Sequence, residues 1–174
     1  MNFSGICIDR ADPTHAQAIS RLINLTYRGN SGWTRETNII LGDRTNPQEI
    51  VSALSNPNGY FFITYLDNDL KSCIYVTKEK DHAYIGFFSV HPDFQGKGLG
   101  KHMLEYAESF ARNQFNRAKF RMFVVSQRPE LIAFYERRGY LRTSRIEPYP
   151  VHLGIGTPKV TKLTIEYLEK IILL

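Results

Sequence analysis

Cysteine is scarce in this chain of 174 residues: Cys7 and Cys73 stand alone, far apart and in no CxxC. That excludes a disulfide scaffold, and both thiols read as small hydrophobes of a reducing compartment. The five histidines, His15, His82, His91, His102 and His152, show no HxH or HxxxH spacing, so no metal site is expected. No apolar run approaches the roughly 18 residues that cross a bilayer, so no membrane partner is expected. Residues Met1–Arg10 lack a basic stretch followed by an apolar one, the pattern of a secretory signal, which leaves a cytoplasmic protein as the expectation. Repeats, low-complexity tracts and linkers are missing too, so residues 1–174 read as a single domain. Charge of one sign is in small excess: 22 basic residues against 17 acidic give +5. The basic residues are spread along the chain with no tail. That suits a solvated surface or an anionic small ligand better than a nucleic-acid partner. Hydrophobic residues at 43% and charged residues at 22% exclude disorder, collagen and coiled coil as the main architecture.

What is present reads as alternating short elements. Gly5–Arg10 predicts a first strand. Pro13 opens a helix in which Ala16, Ile19, Leu22, Ile23 and Leu25 keep a helical period. Gly29–Thr45 is polar and reads as a loop, and Pro47–Leu54 as a second helix. Tyr60–Leu66, Leu70–Lys78 and Ala83–Val90 form an antiparallel meander, with Asp67-Asn68-Asp69 as the first turn. Gly98–Phe115 changes to a helical period, with Leu99, Met103, Tyr106 and Phe110 on one stripe. Ala118–Val125 is a strand. Pro129–Arg138 is a helix with proline at its start and Gly139 past its end. Tyr140–Arg145 is a strand, Glu147–Pro158 an irregular excursion, and Lys162–Ile172 a last strand or short helix. This order predicts an α+β fold, a mixed sheet covered by helices.

The segment Gln95-Gly96-Lys97-Gly98-Leu99-Gly100-Lys101 lies between a strand and a helix. Its glycines let the backbone turn tightly and approach a ligand. The amides of a helix's first turn lack internal partners, and the positive end of its dipole lies there, so the turn suits a phosphate or pyrophosphate. It is not a P-loop: Gly100-Lys101 is followed by His102, and Gln95 stands where the first glycine belongs. It is not a dinucleotide fingerprint either, because Lys101 replaces the third glycine and no acidic residue follows about 20 positions on.

Gln95-Gly96-Lys97-Gly98-Leu99-Gly100 matches the Gln/Arg-x-x-Gly-x-Gly/Ala signature and resembles the GCN5-related N-acetyltransferases (GNAT). The lead-in Phe88-Ser89-Val90-His91-Pro92 and the later Ala133-Phe134-Tyr135-Glu136-Arg137-Arg138-Gly139-Tyr140 carry the same likeness. The resemblance implies a mostly antiparallel sheet of six to seven strands, splayed at its centre and flanked by about four helices. It implies acetyl-CoA as co-substrate without a metal. The diphosphate would lie on the backbones of Gln95, Gly96, Lys97, Gly98, Leu99, Gly100 and Lys101, with the Lys97 and Lys101 side chains adding attraction or merely solvated. The pantetheine arm would lie between Ala83–Val90 and Ala118–Val125, paired with the backbones of Phe88, Ser89 and Val90. Tyr135 would be the general acid beside the sulfur, although an aromatic core residue fits that position too. Many members carry asparagine seven residues before this tyrosine. Here the position is Arg128, and Ser126 or Gln127 is expected to take over the contact.

The implied reaction is direct attack of a primary amine on the thioester in a ternary complex, with a small molecule as acceptor. A protein or peptide amine, or a non-catalytic acyl-CoA-binding module, is the alternative. No carboxylate lies in Ala83–Val90 to act as base. In Asn30–Glu36, Glu36 can attract a cationic amine or relay its proton, or be a helix-start carboxylate. Trp33 can wall the acceptor site or pack as core or lid. Tyr84 and the Ser89 hydroxyl are further relay candidates. A monomer or a homodimer is open, since the terminal Ile171–Leu174 can pack on its own sheet or on a second copy.

Overall fold

The computed structural model describes residues 6–33 and 35–173. The strands are β1 (Asp9–Arg10), β2 (Ile40–Leu41), β3 (Gly59–Leu66), β4 (Asp69–Lys78), β5 (Ala83–Val90), β6 (Lys119–Val125), β7 (Leu141–Pro148), β8 (Thr157–Pro158) and β9 (Thr164–Ile171). The α-helices are α1 (Ala16–Arg28), α2 (Pro47–Leu54), α3 (Leu99–Phe115) and α4 (Pro129–Glu136). Seven strands form one sheet in the order β1-β3-β4-β5-β6-β9-β7, and β2 pairs with β8 apart from it. Every pairing is antiparallel except β5 with β6.

Alternation along the meander builds two cores. Phe61, Ile63, Cys73 and Tyr75 face one way, against Ile19 and Ile23 of α1 and Ile50 of α2. Phe62, Ile74 and Val76 face the other way, against Leu99, Met103, Leu104, Ala107 and Ala111 of α3. The turn between β3 and β4 is two residues, Asp67 and Asn68, at φ of 51° and 63°. That is the left-handed pair a tight hairpin needs.

Several boundaries differ from the sequence reading. The first strand shrinks to Asp9–Arg10, and Gly5 lies outside the described residues. Pro13–His15 is a short 3₁₀ turn capped by Asp12, ahead of α1. On α3 the buried stripe runs through Leu99, Met103, Ala107 and Ala111, with Tyr106 and Phe110 on its flank packed edge-on against Phe62. The loop over Gly29–Thr45 and the excursion over Glu147–Pro158 each contain a two-residue strand, and these pair with one another. Lys162–Ile172 resolves as strand β9, held by seven pairs to β6. At the C-terminal end Ile172 packs on the core while Leu173 is exposed, and Leu174 lies outside the described residues. No described helix is long and apolar enough to cross a membrane.

Two features of the sheet make room for a site. β5 and β6 are paired only at Ala83↔Phe120 and Tyr84↔Arg121, then diverge. β5 also carries a bulge. Ser89 faces Cys73 and Gly86 faces Tyr75, so two residues of β5 oppose one of β4, and Phe87 takes φ 46°.

Candidate active site

The splay opens onto two cavities. The larger, about 420 Å³, runs along the glycine turn and is lined by Gln95, Gly96, Gly98, Gly100 and Lys101, with Phe88 and Val90 of β5 and Trp33, Phe134, Arg137 and Arg138 around them. The smaller, about 60 Å³, lies on the other side of the splay among Glu36, Arg44, Tyr84, Phe87, Tyr149 and Ile155. Tyr27, Phe88, Leu131 and Tyr135 line both.

The glycine turn is shaped by backbone, not by packing. Gly96 and Gly98 take φ of 72° and 94°, and a Cβ on either would meet nothing within 4 Å. Glycine is therefore needed there for conformation. Gly98 caps α3 with no side-chain hydrogen bond, which leaves the first-turn N–H groups of a 17-residue helix to the cavity. Gly100 has ordinary helical backbone. A Cβ there would touch Phe88, Phe134 and Val90 at 3.5–3.6 Å, on the cavity floor. Leu99 is fully buried, so it can offer only backbone to a ligand. Lys101 and Arg137 rim the cavity with Arg138. The Arg138 guanidinium lies 3.5 Å over the Phe134 ring, and its buried Nε lacks a hydrogen-bond partner. Burial, with Arg137 alongside, pulls its pKa down. An anion at this rim would meet the positive charges of Lys101, Arg137 and Arg138 together. Lys97 lies over Phe94 and does not line the cavity, so its expected attraction acts only at longer range.

On β5 the backbone alternates. His91 N–H bonds Lys71 on β4, so the groups of Ser89 face β4 while those of Phe88 and Val90 face the splay. Two of those cleft-facing carbonyls are in use: Tyr27 Oη donates to Phe88 O at 3.1 Å and Gln95 Nε2 to Val90 O at 2.9 Å. The Phe88 and Val90 N–H groups are the donors left to a guest strand. Ser89 corrects the sequence reading. Its backbone belongs to the β4 ladder, and its hydroxyl accepts from Thr26 Oγ1 at 3.0 Å on the α1 side. Ser126 lines neither cavity, and its buried Oγ has no hydrogen-bond partner among the described residues.

Tyr135 sits where the two cavities meet. Leu131, Ile132 and Tyr135 form the buried face of α4, and Pro129 at the helix start sets its direction. The ring packs against Phe134, Tyr140 and Phe88. Among the described residues its hydroxyl has no hydrogen-bond partner. Burial, with Tyr27 and Tyr84 nearby, pushes its pKa well above the ordinary phenol value, so it stays protonated.

Around the smaller cavity the expected roles change most. Glu36 is buried between two guanidiniums: Arg28 Nη1 bonds Oε2, and Arg128 Nη1 lies 3.5 Å from Oε1. Burial pushes its carboxyl up while the two arginines pull against it. Glu36 therefore stands in a buried ion-pair cluster on the cavity wall, neither a lone carboxylate nor a helix-start one. Arg128 is turned the same way, bonded to Glu130 and to Trp33 O at 3.0 Å. Trp33 stands in the larger cavity beside Phe134, not with Glu36 and Tyr84, because its backbone is tied to Gln95 at 3.0 Å. Tyr84 does line the smaller cavity, and burial raises its pKa strongly.

Four residues of the site escape the sequence reading: Tyr27, Arg28, Arg44 and Arg138. Tyr27 and Arg28 end an amphipathic helix and look like its ordinary last turn. Arg44 lies in an irregular loop with no pattern. Arg138 had a signal, since it lies within the quoted Phe134–Tyr140 segment.

The model of the acetyltransferase (GNAT) family matches residues 17–140. A search of the curated proteins finds no significant match. Among solved structures, an N-acetyltransferase from Staphylococcus aureus Mu50 superposes with a TM-score of 0.72 at 16% identity, covering 97% of this chain and 98% of that one. The ribosomal-protein-S18-alanine N-acetyltransferase of Escherichia coli gives 0.70 at 16% identity, over 97% and 95%. YncA, a putative acetyltransferase from Salmonella typhimurium with its cofactor acetyl-CoA, gives 0.70 at 15%, over 98% and 96%. These likenesses carry the fold: a seven-stranded, mostly antiparallel sheet with four helices. The family match covers well over half of the sequence, so this chain belongs to the GNAT acetyltransferase family and is an acyltransferase.

Proposed function

We propose that the protein, as one domain in the cytoplasm, moves an acetyl group from acetyl-CoA to a primary amine of a small molecule by direct attack in a ternary complex. The observation that carries this reading is the junction of the two cavities at Tyr27, Phe88, Leu131 and Tyr135, within the splay of β5 and β6. The larger cavity suits the coenzyme. Its glycine turn exposes main-chain N–H groups at an uncapped helix start, and Lys101, Arg137 and Arg138 surround it. Acetyl-CoA supplies the activated thioester.

The chain's own residues do the rest. The backbones of Gln95–Lys101 hold the diphosphate. The N–H groups of Phe88 and Val90 pair with the pantetheine arm and the thioester oxygen, as a strand edge pairs with an added strand. The Tyr135 hydroxyl donates to the sulfur as negative charge builds there. Its raised pKa keeps the phenol protonated, so it acts first as a hydrogen-bond donor and gives up the proton as the thiolate departs. The proton lost by the attacking amine nitrogen passes to water, and the phenolate is reprotonated from water. A small acceptor fits the second cavity. It is about 60 Å³, and the β2–β8 pair joins the two irregular segments beside it. A peptide would need an open groove instead.

Thiol release from acetyl-CoA with an amine panel tests the activity. Tyr135→Phe is expected to lower kcat by about 10² or more while acetyl-CoA affinity, read by calorimetry, stays roughly unchanged. Full kcat in that variant across pH removes the acid role.

A further inference from the structure

We propose that the amine accepted here also bears a carboxylate, and that Arg44 is the residue that holds it. The proposal rests on the acetyltransferase reading above and names the substrate class of its second cavity.

Among the described residues, the charged side chains that line that cavity are Glu36 and Arg44. Both Glu36 oxygens already face guanidiniums, from Arg28 and Arg128. Arg44 is the opposite case. Its backbone is fixed by Asn24 on α1, whose Oδ1 accepts from Arg44 N at 2.8 Å and Thr45 N at 3.1 Å and whose Nδ2 donates to Thr45 O at 2.9 Å. Its guanidinium lies over the Phe87 ring at 4.8 Å, on the β5 bulge. Yet its Nη1 is buried without a hydrogen bond. The nearest carboxylate oxygen, Glu49 Oε1, is 4.0 Å away, and the other oxygen of Glu49 takes the Thr45 hydroxyl at 2.6 Å. Arg44 is thus the charged residue of the cavity wall whose guanidinium no carboxylate closes off by a hydrogen bond.

The chemistry of the guest follows. A buried guanidinium nitrogen without an acceptor is costly, and a carboxylate is the planar anion that matches its fork. The small volume favours it over a phosphate ester. The other polar groups on the wall are donors, not anions: burial raises the pKa of Tyr27 to about 12 and that of Tyr149 above its ordinary value. A polyamine would meet the Arg44 cation, while the one carboxylate on the wall, Glu36, already faces Arg28 and Arg128. A carboxylate on Arg44 would leave the amine of the same molecule to reach toward the Tyr135 junction.

The test compares the common amino acids with their carboxamides and decarboxylated amines as acceptors, by thiol release, in wild type, Arg44→Gln and Arg44→Lys. Wild type is expected to favour acids over matched amides by about tenfold or more in kcat/KM, mostly through KM. Arg44→Gln should abolish that preference without weakening acetyl-CoA binding, and Arg44→Lys, which keeps the charge but loses the fork, should retain part of it. Equal use of acids and amides, a preference that survives Arg44→Gln, better turnover of polyamines, or no turnover of any carboxylate-bearing amine by a protein that binds acetyl-CoA would each overturn the assignment. Failure to bind acetyl-CoA by calorimetry would overturn the acetyltransferase reading and this inference with it.

Discussion

The glycine turn and the Glu36 cluster lie on opposite sides of one splay and are built by different means. The turn is made from consecutive residues. Left-handed φ at Gly96 and Gly98 and the uncapped start of α3 present main-chain donors whatever the surrounding side chains do. The cluster is made from residues far apart in the chain. Arg28 at the end of α1 bonds Glu36, Gly42 O at 2.8 Å and Ile155 O at 2.6 Å, and Arg128 at the start of α4 reaches back to Glu36 and Trp33. Local backbone tolerates change around it. A buried charge cluster depends on every member, because removing one leaves the others without a counter-charge.

The most severe way to break that symmetry is Glu36→Ala. It leaves Arg28 and Arg128 buried, with side chains only 6% and 5% exposed. Loss of one partner from such a group costs about 3–5 kcal/mol, and the remaining carbonyl and Glu130 contacts place this case near 3. Urea unfolding should show that loss, while calorimetry should find acetyl-CoA affinity changed much less. An equal drop in both would mean the two regions are one cooperative unit, joined through the Trp33 contacts to Gln95 and Arg128.

Gly100→Ala sharpens the contrast from the other side. The backbone is helical there, so alanine should leave the melting temperature unchanged or raise it, by up to about 1 kcal/mol in stability. The new methyl group would stand on the cavity floor against Phe88, Phe134 and Val90. An expected loss of about tenfold in acetyl-CoA affinity, with no loss of stability, identifies a surface kept open for a ligand. Unchanged affinity would mean that the coenzyme does not approach this turn.

The same difference explains what the sequence made legible. The strands of the meander, both long helices and the glycine turn show their period or their conformational need within a few consecutive residues. The β2–β8 pair does not, since each partner is two residues inside an irregular segment and exists only because the other is there. Glu36 was visible as a carboxylate in a polar loop. Its two arginine partners, 8 and 92 positions away in the numbering, were not, and they set it in a buried ion-pair cluster. That Trp33 lines the larger cavity is hidden for a similar reason, since Gln95 and Arg128 hold its backbone. Ser89 lies on the strand expected, but the face it presents is set by the register with β4, beyond what a single strand reveals.

Tyr27→Phe is the mildest change and bears on both regions at once, because this side chain lines both cavities and donates to Phe88 O. Removing one neutral hydrogen bond should cost about 1 kcal/mol at neutral pH. Its pH signature is distinctive. Burial, partly opposed by Arg44, raises the phenol from an ordinary value near 10 to about 12 in the folded protein. The unfolded chain therefore releases this proton at lower pH than the folded one. Between about pH 10 and 12 the folded state binds more protons, so stability falls as pH rises through that window and is unaffected below it. Tyr27→Phe should remove close to one proton from the alkaline slope of unfolding free energy against pH, while the slopes from pH 6 to 9 stay parallel. If the alkaline slope were unchanged, Tyr27 would be titrating in contact with water, and the wall it forms between coenzyme and acceptor would be open to solvent.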